Sequence, residues 1–175
     1  MAMASPQHED PPTDAELVLR ARAGDREAFG ELHGRTARLV HAILLARGSA
    51  QEADDLVQDV FVVALSKLDA LDDPARFSPW LCAIARNKAK DLGRRRTVIP
   101  LPKTLEATRR PRSEAAQMLR HMQALPETYA ETLVMRLVEG MTGPEIAERT
   151  GMTPGSVRVN LHRGMKLLRE RLETP

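Results

Sequence analysis

An all-α fold is predicted for this 175-residue chain by three features of its sequence. Apolar residues recur every three or four positions along each patterned segment, as they do on the buried face of a helix. No run of alternating β-branched residues, which would indicate a strand, occurs in the sequence. Capping boxes, in which Ser or Thr precedes Glu by three residues, mark several helix starts. We expect two small helical domains joined by a flexible linker, the second a four-helix domain that ends in a helix-turn-helix.

The first domain, residues 13–96, is expected to contain four helices. Three are predicted over residues 13–24, 25–48 and 49–71, each opened by an N-capping Thr, Asp or Ser. Asp72-Asp73-Pro74 then breaks the chain. A short loop through Phe77 and Ser78 leads to Pro79, which suits the first position of a fourth helix that ends near residue 96.

The rest of the chain is predicted to contain a tail, a linker and a second domain. Residues 1–12 are polar and carry prolines, and we expect a disordered tail there. Residues 97–112, rich in Pro and Arg, are expected to form the exposed linker. In the second domain, residues 113–175, helices are predicted over 113–124 and 126–140, followed by the helix-turn-helix.

The helix-turn-helix is predicted from two helix starts eleven residues apart. Thr142 and Glu145 form a capping box, and Thr153 followed by Pro154 gives the second start. Gly151, between them, can adopt the positive φ that a tight turn requires. This motif binds DNA in many proteins, although an ordinary amphipathic hairpin with a solvated basic face is the alternative.

The second helix of the motif has one packing side and one polar side on a helical wheel. Val157, Leu161 and Leu168 lie on the packing side. Cations on the other side suit phosphates or guanine edges, an Asn suits adenine, and an exposed Val suits a thymine methyl. The predicted DNA contacts are Ser156, Arg158, Val159, Asn160, His162, Arg163 and Lys166.

The third and fourth helices carry surfaces of opposite charge. On the third helix, the side opposite the apolar face carries Asp55, Gln58, Asp59 and Val62. A valine among acidic residues suggests a binding surface for a basic protein partner. The alternative is a solvated acidic surface. On the fourth, cations are expected to contact a phosphate backbone, the alternative being a solvated basic helix end. The predicted DNA contacts in this domain are Arg86, Lys88, Lys90, Arg94, Arg95, Arg96 and Phe77 of the preceding loop.

Composition excludes several classes of protein. Net charge is only +2, so affinity for nucleic acid must come from local clusters such as residues 86–96, which hold six bases and one acid. The single cysteine, Cys82, excludes an internal disulfide, and no Cys/His cluster has zinc-ligand spacing. Aromatic residues, at 3%, are too few for base-stacking folds. We expect a soluble cytoplasmic protein with no membrane insertion, no metal and no cofactor.

With these motifs in this order, the chain resembles the extracytoplasmic-function sigma factors of the sigma-70 family, small initiation factors of bacterial RNA polymerase. The resemblance extends from Thr13 to Leu172 and is strongest at residues 55–61, 80–87, 125–126, 145–148 and 156–163. The family often has serine where Val159 stands and arginine where Asn160 stands. An unusual minus-35 sequence is therefore expected.

The resemblance implies a function for each surface. The Asp55/Gln58/Asp59 face would bind the clamp helices of the polymerase β′ subunit, and residues 68–79 with the following basic helix would hold the melted minus-10 region. The second domain would insert its last helix into the minus-35 major groove and contact the β flap. The implied partners are core RNA polymerase and promoter DNA, and an anti-sigma factor is a further partner that the residues leave open.

Three other classes of protein are alternatives to this family. A response regulator would need a phosphoacceptor aspartate on a β-strand scaffold, and no strands are predicted. A recombinase would need a nucleophilic Ser or Tyr among arginines, whereas Ser49, Ser66 and Ser78 are interpreted as cap, helix-surface and turn residues and Tyr129 stands in a helix. We therefore expect no enzyme. A polymerase-binding adaptor that has lost its affinity for DNA is the third alternative, and the basic face argues against it.

Overall fold

The computed structural model describes residues 11–98 and 114–173, and within these ranges the chain is helical with no strand. The all-α prediction is confirmed. The helices are α1 (Asp14–Arg22), α2 (Arg26–Leu45), α3 (Ala50–Ser66), α4 (Phe77–Val98), α5 (Glu114–Gln123), α6 (Glu127–Leu137), α7 (Gly143–Thr150) and α8 (Pro154–Glu173). We refer to α1–α4 as the N-terminal group and to α5–α8 as the C-terminal group. Most of the predicted tail and most of the predicted linker lie outside the described residues.

Local capping interactions fix the starts of α1, α2, α3 and α7 where the sequence predicts them. Reciprocal capping boxes form at Thr13, Ser49 and Thr142, and the Asp25 carboxylate accepts from two backbone N–H groups at the start of α2. Gly151 ends α7 with a φ of 74°, a left-handed conformation that costs glycine little, and this sets the turn of the helix-turn-helix.

The segment between α3 and α4 differs from the prediction. Helix α3 ends at Ser66 instead of residue 71, and Leu68–Ala70 forms a 3₁₀ turn whose first carbonyl receives the Arg22 guanidinium. A second 3₁₀ turn, Pro74–Arg76, leads directly into α4 at Phe77. Phe77 therefore belongs to a helix, and the predicted loop through it is wrong, because burial of its ring in the core outweighs the local turn signals.

Helix α2 lies at the centre of the molecule, packed against α1, α3, α4 and α6. One apolar core continues from the N-terminal group into the C-terminal group, so that Leu39 and Leu81 share a cluster with Met135 and Ile146. A smaller cluster around Leu133 and Leu168 holds the C-terminal group itself together. The two groups are thus packed against each other over an apolar interface.

Candidate functional site

The predicted protein-binding surface on α3 is exposed. Asp55, Gln58, Asp59 and Val62, which we call the acidic face, all point to solvent, while Val60, Phe61 and Ala64 on the opposite side are buried. Val62 is 67% exposed and its neighbour Leu65 is 53% exposed. Leu65 was not among the predicted residues of this surface, although its position one turn from Val62 was a sufficient signal. Exposed apolar side chains beside carboxylates suit a partner that is both basic and apolar.

A salt bridge links this surface to α4. The Lys88 ammonium lies 3.4 Å from a carboxylate oxygen of Asp59, and both side chains remain partly exposed. One predicted DNA contact and one predicted protein contact are therefore neighbours. An exposed pair of this kind contributes little to stability, so either group can exchange its partner for an intermolecular one at low cost.

The other cations of α4 have different surroundings. Lys90 is exposed, whereas Arg86 donates from Nε and Nη2 to the carboxylate of Glu131 in α6, at distances of 3.0 to 3.3 Å. Glu131 is only 4% exposed. Arg94, Arg95 and Arg96 fall within the helix, but their side chains lie outside the described part of the chain.

Phe77 does not have the exposure that a DNA contact requires. Its side chain is 0% exposed, and its ring lies 6.0 Å from that of Trp80, centroid to centroid. Trp80 is the more exposed of the two aromatic residues. Phe77 is therefore a core residue of the N-terminal group here, and the sequence signal for this was the apolar spacing from Phe77 to Leu81.

Helix α8 separates its packing and polar sides as the helical wheel predicts. Val157, Gly164 and Leu168 are buried against the C-terminal group. The side chains that we call the reading face are exposed, apart from a half-buried amide at position 160: Ser156, Arg158, Val159, Asn160, His162, Arg163 and Lys166. The face presents three cations, one imidazole and an apolar group that is 42% exposed at Val159.

Two details fix the orientation of α8. At its start, the Thr153 hydroxyl oxygen accepts from the Ser156 backbone N–H at 3.1 Å and so caps the helix. At its middle, Gly164 lies against α6 so closely that a Cβ there would be 3.2 Å from Leu133 Cγ and 3.3 Å from Tyr129 Cβ. The reading face is therefore held by a cap and by a close helix crossing.

Two features of the described residues bear on metal binding and on thiol reactivity. In residues 11–98 and 114–173, no group of three His, Cys, Asp or Glu side chains is placed to hold a metal ion. Burial raises the pKa of the Cys82 thiol to about 12, so almost no thiolate is present at neutral pH. None of the helices in these ranges is long and apolar enough to cross a membrane.

Comparison with known proteins assigns both helical groups to one kind of factor. A family model described as Sigma-70 region 2 matches residues 32–98, and one described as Sigma-70, region 4 matches residues 115–168. The chain is 34% identical to the RNA polymerase sigma factor CarQ of Myxococcus xanthus, over 87% of this chain and 94% of CarQ. It is 33% identical to the ECF RNA polymerase sigma factor ShbA of Streptomyces griseus, over 87% of this chain and 92% of ShbA.

A solved structure also has this fold. The structure of CnrH in complex with the cytosolic domain of CnrY matches with a TM-score of 0.64 and 30% sequence identity, covering 91% of this chain and 97% of that one.

Proposed function

We propose, from the premise that this chain belongs to the extracytoplasmic-function sigma factors of the sigma-70 family, that its two helical groups divide promoter recognition between them. Members of this family are initiation factors and not enzymes; they bind core RNA polymerase and direct it to specific promoters. The function of the chain is therefore promoter-specific transcription initiation.

The domain boundaries that we propose are residues 13–96 for region 2, 97–112 for the linker and 113–175 for region 4. The family models support this division because their matches, 32–98 and 115–168, leave most of the proposed linker between them.

For polymerase binding we assign the acidic face of α3 to the β′ clamp helices. Asp55 and Asp59 would pair with bases of the clamp, while Val62, with Leu65 beside it, would supply apolar contact. The exposure of all four side chains supports this assignment. We further propose that the C-terminal group contacts the β flap.

We assign the contact with minus-10 DNA to the cations of α4. Phe77, which was predicted to contact DNA as well, is not included because its side chain is buried. The remaining residues are Arg86, Lys88, Lys90, Arg94, Arg95 and Arg96.

For minus-35 DNA we assign the reading face of α8. The observation that carries the proposal is this exposed, mixed cationic and apolar face on the second helix of a helix-turn-helix, within the region 4 match.

A factor that works on RNA polymerase acts where transcription occurs, so we place this protein in the cytoplasm. The CnrH structure contains the cytosolic domain of a second protein, CnrY. By analogy we include a regulatory protein of the anti-sigma class among the partners of this chain.

In vitro transcription tests the proposed function. The purified chain would be added to core polymerase with a library of random upstream sequences, and the transcripts would be sequenced. We expect templates that share two elements, near minus-35 and minus-10, to be enriched over the reaction without the chain. A chain that associates with core but enriches no upstream sequence would contradict the proposal.

A further inference from the structure

The amide of Asn160, at the edge of the reading face, is bound to the turn of the helix-turn-helix. Its Nδ2–H group donates to the Met152 thioether sulfur across an N···S distance of 3.6 Å. A thioether sulfur accepts hydrogen bonds but has no hydrogen to donate, so it attracts the nitrogen end of the amide. Asn160 is half-buried, whereas the other residues of the reading face are exposed. The nitrogen end of this amide therefore faces the protein.

Met152 is a fixed anchor for the amide. It is half-buried and packs against the core that the two helical groups share. Its backbone N–H donates to the Thr150 hydroxyl oxygen at 3.3 Å, and that hydroxyl donates to the Ile146 carbonyl oxygen in α7. The orientation of the Asn160 amide is therefore set by the end of α7 and by the turn that follows it.

The oxygen end of the amide is left for an external donor. In residues 11–98 and 114–173, the Asn160 amide makes this one hydrogen bond, and its Oδ1 atom is not buried without a partner. Oδ1 is therefore open to solvent. An amide with both ends free matches the N6 and N7 atoms of adenine side by side. An amide whose nitrogen end faces the protein presents an acceptor only.

We propose that Asn160 reads one minus-35 base through Oδ1 alone, and so selects a base with an amino group in the major groove, adenine or cytosine. This inference rests on the proposed function, in which α8 reads the minus-35 element. Adenine offers N6–H and cytosine offers N4–H in the major groove. Guanine and thymine present acceptors there, which repel an amide oxygen. Met152, which touches no DNA in this arrangement, is thereby a positioning residue for base selection.

Promoter selection measures this base preference. Core polymerase and the full chain would transcribe templates with a randomised minus-35 element, each identified by a barcode in its transcript. The informative position is the one whose base preference disappears in Asn160→Ala. There we expect the wild type to favour adenine and cytosine, to similar extents, over guanine and thymine by about three- to tenfold, which corresponds to one hydrogen bond.

Two substitutions of Asn160 test which end of the amide is read. Asn160→Asp keeps the oxygen and replaces the nitrogen by a second acceptor, so the preference for adenine and cytosine should persist while transcription from all templates weakens. Asn160→Arg presents donors only and should favour guanine at the same position. Loss of the preference for amino-bearing bases in Asn160→Asp would show that the nitrogen is needed and would overturn the proposal.

Met152→Leu tests the positioning. This change nearly conserves volume but removes the sulfur acceptor, so the amide nitrogen becomes free to donate to adenine N7. We expect adenine to gain about three- to tenfold over cytosine at the informative position. Met165→Leu is the matched control, because Met165 is also half-buried and packs on the other side of α8; its base preference should equal that of the wild type.

Three further results would overturn the proposal: selection of adenine over cytosine by the wild type, no position whose preference changes in Asn160→Ala, or wild-type selection by Met152→Leu. Circular dichroism identifies a variant that has unfolded, and if Met152→Leu unfolds, the substitutions of Asn160 decide.

These outcomes separate this inference from the proposed function. If minus-35 selection is present and responds to Arg163→Ala but not to Asn160→Ala, the function stands and this inference is refuted. If the chain selects no upstream sequence with core polymerase, the proposed function fails and this inference fails with it.

Discussion

Reversing the charges of the acidic face tests the polymerase-binding assignment most directly. In the double variant Asp55→Lys/Asp59→Lys, both side chains lie on the solvent side of α3, so the core of the N-terminal group is untouched. Asp59→Lys also places a cation beside Lys88, whose ammonium lies 3.4 Å from the present carboxylate. Both groups are partly exposed, so this repulsion is small in free energy, and thermal unfolding checks that the variant is folded.

The expected decrease in affinity follows from the exposure of the two carboxylates. Exposed ion pairs contribute up to about 1 kcal/mol each, and replacing attraction by repulsion roughly doubles the effect at each site. Two reversals should therefore weaken binding to core polymerase by up to about 4 kcal/mol, which is up to about 700-fold in the dissociation constant. A larger effect would indicate that the interface desolvates the pairs, because buried pairs have stronger effects.

Binding would be measured by titrating core polymerase into the fluorescently labelled factor. The control is Glu27→Lys/Glu114→Lys, which has the same change in net charge at exposed positions outside the acidic face. We expect near-wild-type affinity for the control. Equal affinity of the folded acidic-face variant and the control would refute the assignment of this face.

Three further predictions concern DNA binding and stability. Replacing residues 94–96 by alanine should weaken promoter complexes on all sequences. The slope of log affinity against log salt concentration should decrease in magnitude by roughly 0.7–0.9 for each phosphate that is no longer neutralised. A changed sequence preference at constant slope would contradict this prediction. Arg163→Ala should cost about 1–3 kcal/mol of promoter affinity and relax selection at one or two minus-35 positions, and Val159→Ser should shift selection at a thymine without changing the slope. Identical promoter selection by the wild type, Arg163→Ala and Val159→Ser would exclude base recognition by the reading face. The pKa of the Glu145 carboxyl is lowered from 4.5, chiefly by the hydrogen bond that its carboxylate accepts from the Thr142 backbone N–H. The ionised carboxylate therefore stabilises the fold above pH 4.5, and this stabilisation disappears as pH falls through the lowered pKa. Glu145→Gln should therefore lower the Tm at pH 7, and its difference from the wild type should vanish in acid.

The helices could be predicted from the sequence because their starts are local. Thr13, Ser49 and Thr142 each form a capping box within four residues of chain, and no distant contact is needed. The 3₁₀ turns before α4 depend on distant contacts instead. Arg22 donates to a carbonyl 46 residues away, and Phe77 is buried by packing that sequence periodicity does not report.

The two binding surfaces could be predicted because each of them lies on a single helix. The acidic face and the reading face follow from the helical wheel alone, and their exposure agrees with it. The pairing of Arg86 with Glu131 could not be predicted, because the two residues are 45 positions apart and on different helical groups. A wheel shows that Arg86 lies on a polar side, but it cannot show which partner that side meets.

The close crossing at Gly164 has a consequence for how promoter preference can evolve. A single added methyl at this position would press on Leu133 and Tyr129, which are packed beneath α8, and either these side chains or the helix would have to shift by a few tenths of an ångström. Base recognition depends on hydrogen-bond geometry at that same scale. A substitution that never touches DNA can therefore retune which promoters are read, and the genes under this factor can diverge through its interior as well as through its surface.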